Sequence, residues 1–212
     1  TKAYYGIYQR ATSSVQSCDN LNITGCTFGS NTATDYIAFK GISIGYAVGA
    51  NIVGNNIFNI KSGTGSPGPS GIEIAAGSNN LKISANKITG IYYTSTVGYG
   101  AIGIDINSTG FTSGTGSNQI DNNMISDLNA DGWTTISNGI PCGIRIQGVN
   151  DGIKLYSNSI SLTGTNNLSS SARSSYFSAC VAFGSNTNTN MDFRNNTFKN
   201  TFAYSSGTYT GA

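Results

Sequence analysis

The chain contains no histidine, and only 9 % of its 212 residues are charged. The first absence removes Ser-His-Asp and Cys-His nucleophilic catalysis, together with the usual histidine-bearing zinc sites. The second removes charge-laced helical bundles and coiled coils, because an ordinary domain carries roughly 25 % charged residues. The 11 lysines and arginines are scattered and the formal net charge is +2, so there is no basic footprint for nucleic acid. No apolar run approaches the roughly 18 residues that a membrane span needs. Cys18, Cys26, Cys142 and Cys180 show no CxxC spacing, so a thiolate metal site is not expected either. Cys18 and Cys26 are read either as a pair or as free thiols in a packed interior.

What is abundant is glycine, serine, asparagine and threonine, which together make up about half of the chain. Disorder does not follow, since disordered chains combine low hydrophobicity with high net charge. The apolar residues here are β-branched and evenly spread, and they repeat. An apolar-x-x-Asn-x-apolar motif recurs at Ile52 to Ile57, Ile83 to Ile88, Ile120 to Ile125, Leu155 to Ile160 and Phe193 to Phe198. Its asparagines are Asn55, Asn86, Asn123, Asn158 and Asn196, and a sixth copy from Ile23 to Phe28 carries Cys26 instead, in a place expected to be buried. Successive central positions lie 29, 31, 37, 35 and 38 residues apart. A second motif precedes each copy: Gly6-Ile7, Gly41-Ile-Ser-Ile44, Gly71-Ile-Glu-Ile74, Gly103-Ile-Asp-Ile106, Gly143-Ile-Arg-Ile146 and Cys180-Val-Ala-Phe183.

Each motif alternates with period two and is bounded by turn residues, which is the pattern of a brief strand. Neither strand can bury its apolar face alone; stacking the copies as coils buries them all. The expectation is an all-β fold, a single-stranded parallel β-helix of about six coils, with residues 1–212 as one domain. An asparagine at an inward bend has both a donor and an acceptor, so stacked amides form a ladder that satisfies their burial.

Ile52-Val-Gly-Asn-Asn-Ile-Phe-Asn-Ile60, Leu81-Lys-Ile-Ser-Ala-Asn-Lys-Ile-Thr89 and Met191-Asp-Phe-Arg-Asn-Asn-Thr-Phe-Lys-Asn200 resemble the parallel β-helix repeats of the pectate-lyase-like superfamily. The likeness covers essentially the whole chain and implies a right-handed helix. The low-charge, Ser/Thr/Asn/Gly-rich composition also resembles repetitive secreted surface proteins of bacteria, adhesins among them. No amphipathic cap is evident near Tyr4-Tyr5-Gly6-Ile7-Tyr8 or in residues 205–212, so a longer solenoid, or stacking of neighbouring chains, is expected.

Inserts at Lys61 to Ser70, Tyr92 to Tyr99, Asn129 to Pro141 and Gly164 to Ala179 share one phase and are expected to project from one side. Their aromatic residues, Tyr92, Tyr93, Tyr99, Trp133, Tyr176 and Phe177, are candidates for stacking on sugars or on a partner chain, or for covering coil edges. The superfamily's polysaccharide-cleaving members place Asp clusters, or calcium with an Arg or Lys base, on one strand face. The corresponding coincidence here is the outward middle position of the Gly-Ile-x-Ile motif: Ser43, Glu73, Asp105 and Arg145 in consecutive coils. If the protein is an enzyme, Glu73, Asp105 and Arg145 are its catalytic candidates, because retaining glycosidases use carboxylates about 5 Å apart. Glu73 and Asp105 are also a weak calcium pair. A solvated row of compensating charges is the structural alternative. The expectation is a non-enzymatic, secreted or cell-surface rod that needs no cofactor and contacts glycans, surfaces or neighbouring chains. The rivals are a polysaccharide lyase or glycoside hydrolase, and a phage tail fibre or spike.

Overall fold

A computed structural model of the chain describes residues 2–14, 17–32, 34–64, 68–96, 98–107, 118–137, 139–148, 150–166, 177–184 and 187–204. Among these there is no α-helix, and every long-range strand pair is parallel. Three strands recur in each repeat and stack as three sheets along the chain's winding path, the first and third joined where Ile37 pairs with Ile60. The first stacks Ala3–Arg10, Ile37–Gly45, Ser70–Ala75, Ile102–Asn107, Cys142–Gln147 and Ala179–Phe183. The second stacks Asn22–Thr24, Asn51–Val53, Lys82–Ser84, Gln119–Asp121, Lys154–Tyr156 and Asp192–Arg194. The third stacks Thr27–Phe28, Asn56–Ser62, Lys87–Tyr93, Met124–Asn129, Ser159–Leu162 and Thr197–Asn200. The chain is thus a parallel β-solenoid of about five turns.

Register places like side chains over like. Ile23, Ile52, Ile83, Ile120, Leu155 and Phe193 form one inward row from the second sheet. Phe28, Ile57, Ile88, Ile125, Ile160 and Phe198 form another from the third. Two rows from the first sheet, headed by Ile42 and Ile44, complete the core. Each buried isoleucine contributes about 1.5–3 kcal/mol of transfer free energy. The glycine of the Gly-Ile-x-Ile motif follows from the narrowness of this core. A Cβ on Gly41 would lie 2.7 Å from Ile57 Cγ2, and one on Gly71 2.6 Å from Ile88 Cγ2. Any larger residue would push the first and third sheets apart.

The bend from the second sheet to the third is made by one residue in the left-handed region: Gly25, Gly54, Ala85, Asn122, Ser157 or Asn195. It turns the next residue, the ladder asparagine, inward. Asn55 Nδ2 donates to Asn86 Oδ1 at 2.9 Å, and the pattern repeats from Asn86 to Asn123, Asn123 to Asn158 and Asn158 to Asn196, each at 3.0 Å. Each Nδ2 also donates to a backbone carbonyl of the preceding rung, as Asn123 does to Ile83 O at 2.9 Å. Each Oδ1 also accepts the backbone N–H of the preceding ladder residue, as Asn123 Oδ1 does from Asn86 at 3.0 Å. Four bonds satisfy each inner amide, at Asn86, Asn123 and Asn158, without water, and the end amides of Asn55 and Asn196 make three. Cys26 donates its backbone N–H to Asn55 Oδ1 at 2.9 Å, but is half-buried rather than buried because it lies in the first rung.

Ala85 is the one alanine at this bend; its φ is 55°, its side chain is exposed, and left-handed alanine costs roughly 1–2 kcal/mol. Ala85→Gly is expected to stabilise the fold by about 1 kcal/mol after the glycine's extra chain entropy is subtracted. Calorimetry reads this as a rise of about 2–4 °C in Tm.

Candidate functional site

The described parts of the inserts do not project: they fold back and stack on one another over the outer side of the first sheet, where Gly68, Ile136 and Ser137 offer carbonyls to side chains of that sheet. Tyr99 stacks on Trp133 with ring centroids 6.2 Å apart and planes at 15°, and Tyr93 meets Tyr99 edge-on at 5.7 Å. Gly132 N–H donates to Tyr99 O at 2.9 Å. Ile136 and Phe177 pack on a second apolar cluster of Ile102, Ile140, Cys142 and Ala182, which lies outside the solenoid's central core. The physical reason is that these inserts carry apolar residues that no strand pairing would bury.

This layer corrects the reading of the charged row. Ser43, Glu73, Asp105 and Arg145 are register neighbours as the spacing implies, but they are not solvated: Asp105 and Arg145 are 0 % exposed and Glu73 is 6 % exposed. Arg145 forks onto Asp105, with Nε to Oδ1 at 2.9 Å and Nη2 to Oδ2 at 2.7 Å. Its Nη1 donates to the insert carbonyls of Ile136 and Ser137 at 3.0 and 3.1 Å. Bidentate geometry between two fully buried side chains is the strong form of an ion pair.

Glu73 has a separate set of partners. Its Oε2 accepts from the Ser43 hydroxyl at 2.7 Å and from Arg10 Nη2, while its Oε1 lies 3.7 Å from Lys40 Nζ. Lys40, whose side chain is 1 % exposed, also donates to the insert carbonyl of Gly68 at 2.8 Å. Burial pushes the Glu73 carboxyl up, but Lys40, the Ser43 hydroxyl and Arg10 outweigh it and hold the group below its ordinary range. Burial pushes the Lys40 ammonium down, with Glu73 opposing. The two carboxylates therefore have separate cationic partners, Arg10 and Lys40 for Glu73 and Arg145 for Asp105.

The same partners occupy both carboxylates of the calcium candidate. Calcium takes 6–8 oxygen ligands, whereas Glu73 and Asp105 are already committed to Arg10, Lys40 and Arg145. Among the described residues there is no group of three His, Cys, Asp or Glu side chains able to hold a metal. All four cysteines are free thiols, Cys142 and Cys180 buried and Cys18 and Cys26 half-buried. No described helix is long and apolar enough to cross a membrane.

Of the aromatic candidates, Tyr93 is 1 % exposed and is corrected from surface ring to core residue. Tyr99, Trp133 and Phe177 are half-buried in the insert layer. Tyr176 lies outside the described residues. Tyr92 stands apart from them. Single left-handed residues, Asn59, Gly90 and Asp127, stand at one register position of the third sheet in three consecutive rungs, and the break in alternation they make re-aims the side chains that follow. The result is a shallow groove lined by Phe58, Lys61, Thr89, Tyr92 and Asp127. The Tyr92 hydroxyl donates to the exposed Asp127 carboxylate, and burial together with Asp127 raises the phenol's pKa. Lys61 Nζ lies 5.9 Å from the Tyr36 ring centroid and 5.7 Å from that of Tyr92. Sequence reasoning named Tyr92 but missed Lys61 and Asp127, whose only signal is that Lys61 and Tyr92 occupy equivalent places one repeat apart.

The chain matches no family model, no curated protein and no solved structure. The geometry above is therefore the ground for any functional reading.

Proposed function

We propose that this chain is a non-enzymatic, extracellular structural element: a stiff segment of a bacterial surface or adhesin-like protein that contacts glycans or partner chains from its side. One observation carries the reading. Glu73, Asp105 and Arg145, the residues on which a hydrolase or lyase reading rests, are spent in buried ion pairs beneath the insert layer. Their chemistry is that of a lock between the first sheet and its cover. Surface for lateral contact remains in the groove around Tyr92, where a ring, a cation and a carboxylate meet solvent together. A repetitive, sparsely charged rod with its polar amides internally satisfied suits a mechanical role outside the cell.

The test is a panel of neutral and acidic polysaccharides incubated with the protein, with and without calcium. No product is expected, and the same polysaccharides immobilised on a surface should retain the protein, with Tyr92→Ala and Asp127→Ala reducing retention about fivefold or more. Release of product that Glu73→Gln abolishes would establish an enzyme and overturn the proposal. Trimeric mass in solution would favour the fibre or spike reading instead.

A further inference from the structure

The described parts of the inserts leave the outer side of the third sheet open, where Lys87, Met124, Ser159 and Thr197 stand exposed. A second outward row lies beside them: Phe58, Thr89, Ser126, Ser161 and Lys199 are register neighbours in successive strands. At a strand spacing of about 4.8 Å the row is roughly 19 Å long. Two shallow depressions follow it, the groove around Tyr92 over Phe58 and Thr89, and a second over Ser126, Ser161 and Lys199. They meet where Ser126 Oγ donates to Thr89 Oγ1 at 3.4 Å, and so form one trough along the solenoid axis. Because the trough runs along the side of the stack, a further coil at either end would lengthen it, not cover it.

The charges of this face are unbalanced. Lys61, Lys87 and Lys199 stand on it against the carboxylate of Asp127, which already accepts the Tyr92 hydroxyl. Among the described residues no ion pair engages any of the three lysines. A protein partner needs apolar surface at the centre of its interface, and Met124 is the one exposed large apolar side chain on this outer face among the described residues. A nucleic-acid strand carries a charge about every 3.4 Å. Lys87 and Lys199 are three strand steps apart, roughly 14 Å, which suits a chain of sparser charge. An acidic sugar chain meets all three conditions. Its hydroxyls pair with Thr89, Ser126 and Ser161, its ring faces lie on Tyr92 and Met124, and its spaced anions face the lysines.

We propose that this trough binds an extended anionic glycan laid along the solenoid axis. The site is distinct from the Glu73 row, which lies on the first sheet. The inference rests on the reading of the Tyr92 groove as a glycan surface, and adds to it the acidic class of the ligand and its axial path.

The probes are immobilised hyaluronate, dextran sulfate and unmodified dextran, with single-stranded oligothymidylate as the competing polyanion. The whole protein should be held about tenfold or more tightly on the acidic polymers than on dextran, and the two acidic arms tell a carboxylate from a sulfate preference. Salt at about 1 M, where the Debye length is about 3 Å, should remove that difference. Lys61→Gln with Lys87→Gln should weaken binding to the acidic polymer about tenfold, and Lys199→Gln alone about threefold, with circular dichroism checking each fold. Equal retention on dextran would overturn the proposal while the glycan reading of the groove stands, whereas retention on none of the polymers would overturn both. Undiminished binding by Lys199→Gln would contradict the axial path. Oligothymidylate bound as tightly as the acidic polymers would contradict the glycan class.

Discussion

Asn123→Ala is expected to lower unfolding free energy by about 4 kcal/mol or more, although it removes only a few atoms. The alanine leaves the Asn86 backbone N–H, one Asn86 Nδ2–H and the Ile83 carbonyl without partners in a site that is 0 % exposed. Each buried group left unsatisfied costs about 1–3 kcal/mol, so three of them outweigh any gain in backbone propensity. The half-buried Asn196 is the last asparagine of the ladder, so truncating it opens its partners on Asn158 and Leu155, each 0 % exposed while Asn196 covers them, to water. Asn196→Ala is therefore expected to cost only about 1 kcal/mol. Urea titration of the two variants beside the parent chain measures the contrast, and equal losses at the middle and the end would show that the ladder is not the support described.

The second large effect concerns the lock beneath the inserts. Asp105→Ala strands the Arg145 guanidinium in a site of 0 % exposure, and breaking a buried pair from one side costs about 3–5 kcal/mol. Replacing both partners at once, Asp105→Leu with Arg145→Met, removes the two desolvation penalties along with the attraction and is expected to recover most of the loss. A double-mutant cycle on unfolding free energies isolates the coupling. If the single variants were as stable as the parent, the insert layer would not be closed over this row. The consequence for function is direct, because an open row would restore the polysaccharide-cleaving rival.

The fold was legible in the sequence to the extent that it is periodic. The inward isoleucine rows, the asparagine ladder and the registration of Ser43, Glu73, Asp105 and Arg145 all follow from counting positions between repeats. The bend was also visible, because Gly25, Gly54, Asn122 and Asn195 are residue types that tolerate the left-handed region, immediately before the ladder position. What was not legible is everything the inserts do. They vary in length and carry no period, so nothing in Ile136, Ile140 or Phe177 states which face it will cover. The exposure of the charged row depended wholly on that cover, which is why its neighbours were predictable and its burial was not. Arg10 and Lys40 were missed for a related reason: each lies outside the outward position of the repeat, and only the folded register brings it to Glu73. The groove around Tyr92 depends on three left-handed residues in register, whose signature is no more than Asn, Gly or Asp within a strand.

The ladder, the inward rows and the buried ion pairs all require each winding to lie directly over the one before it. The most direct measurement is nuclear magnetic resonance on a sample labelled at asparagine, reading through-space contacts between side-chain amide protons. The account predicts an unbroken series linking Asn55, Asn86, Asn123, Asn158 and Asn196 in that order. Absence of the contact between Asn86 and Asn123, or a series that pairs the asparagines out of sequence order, would contradict it.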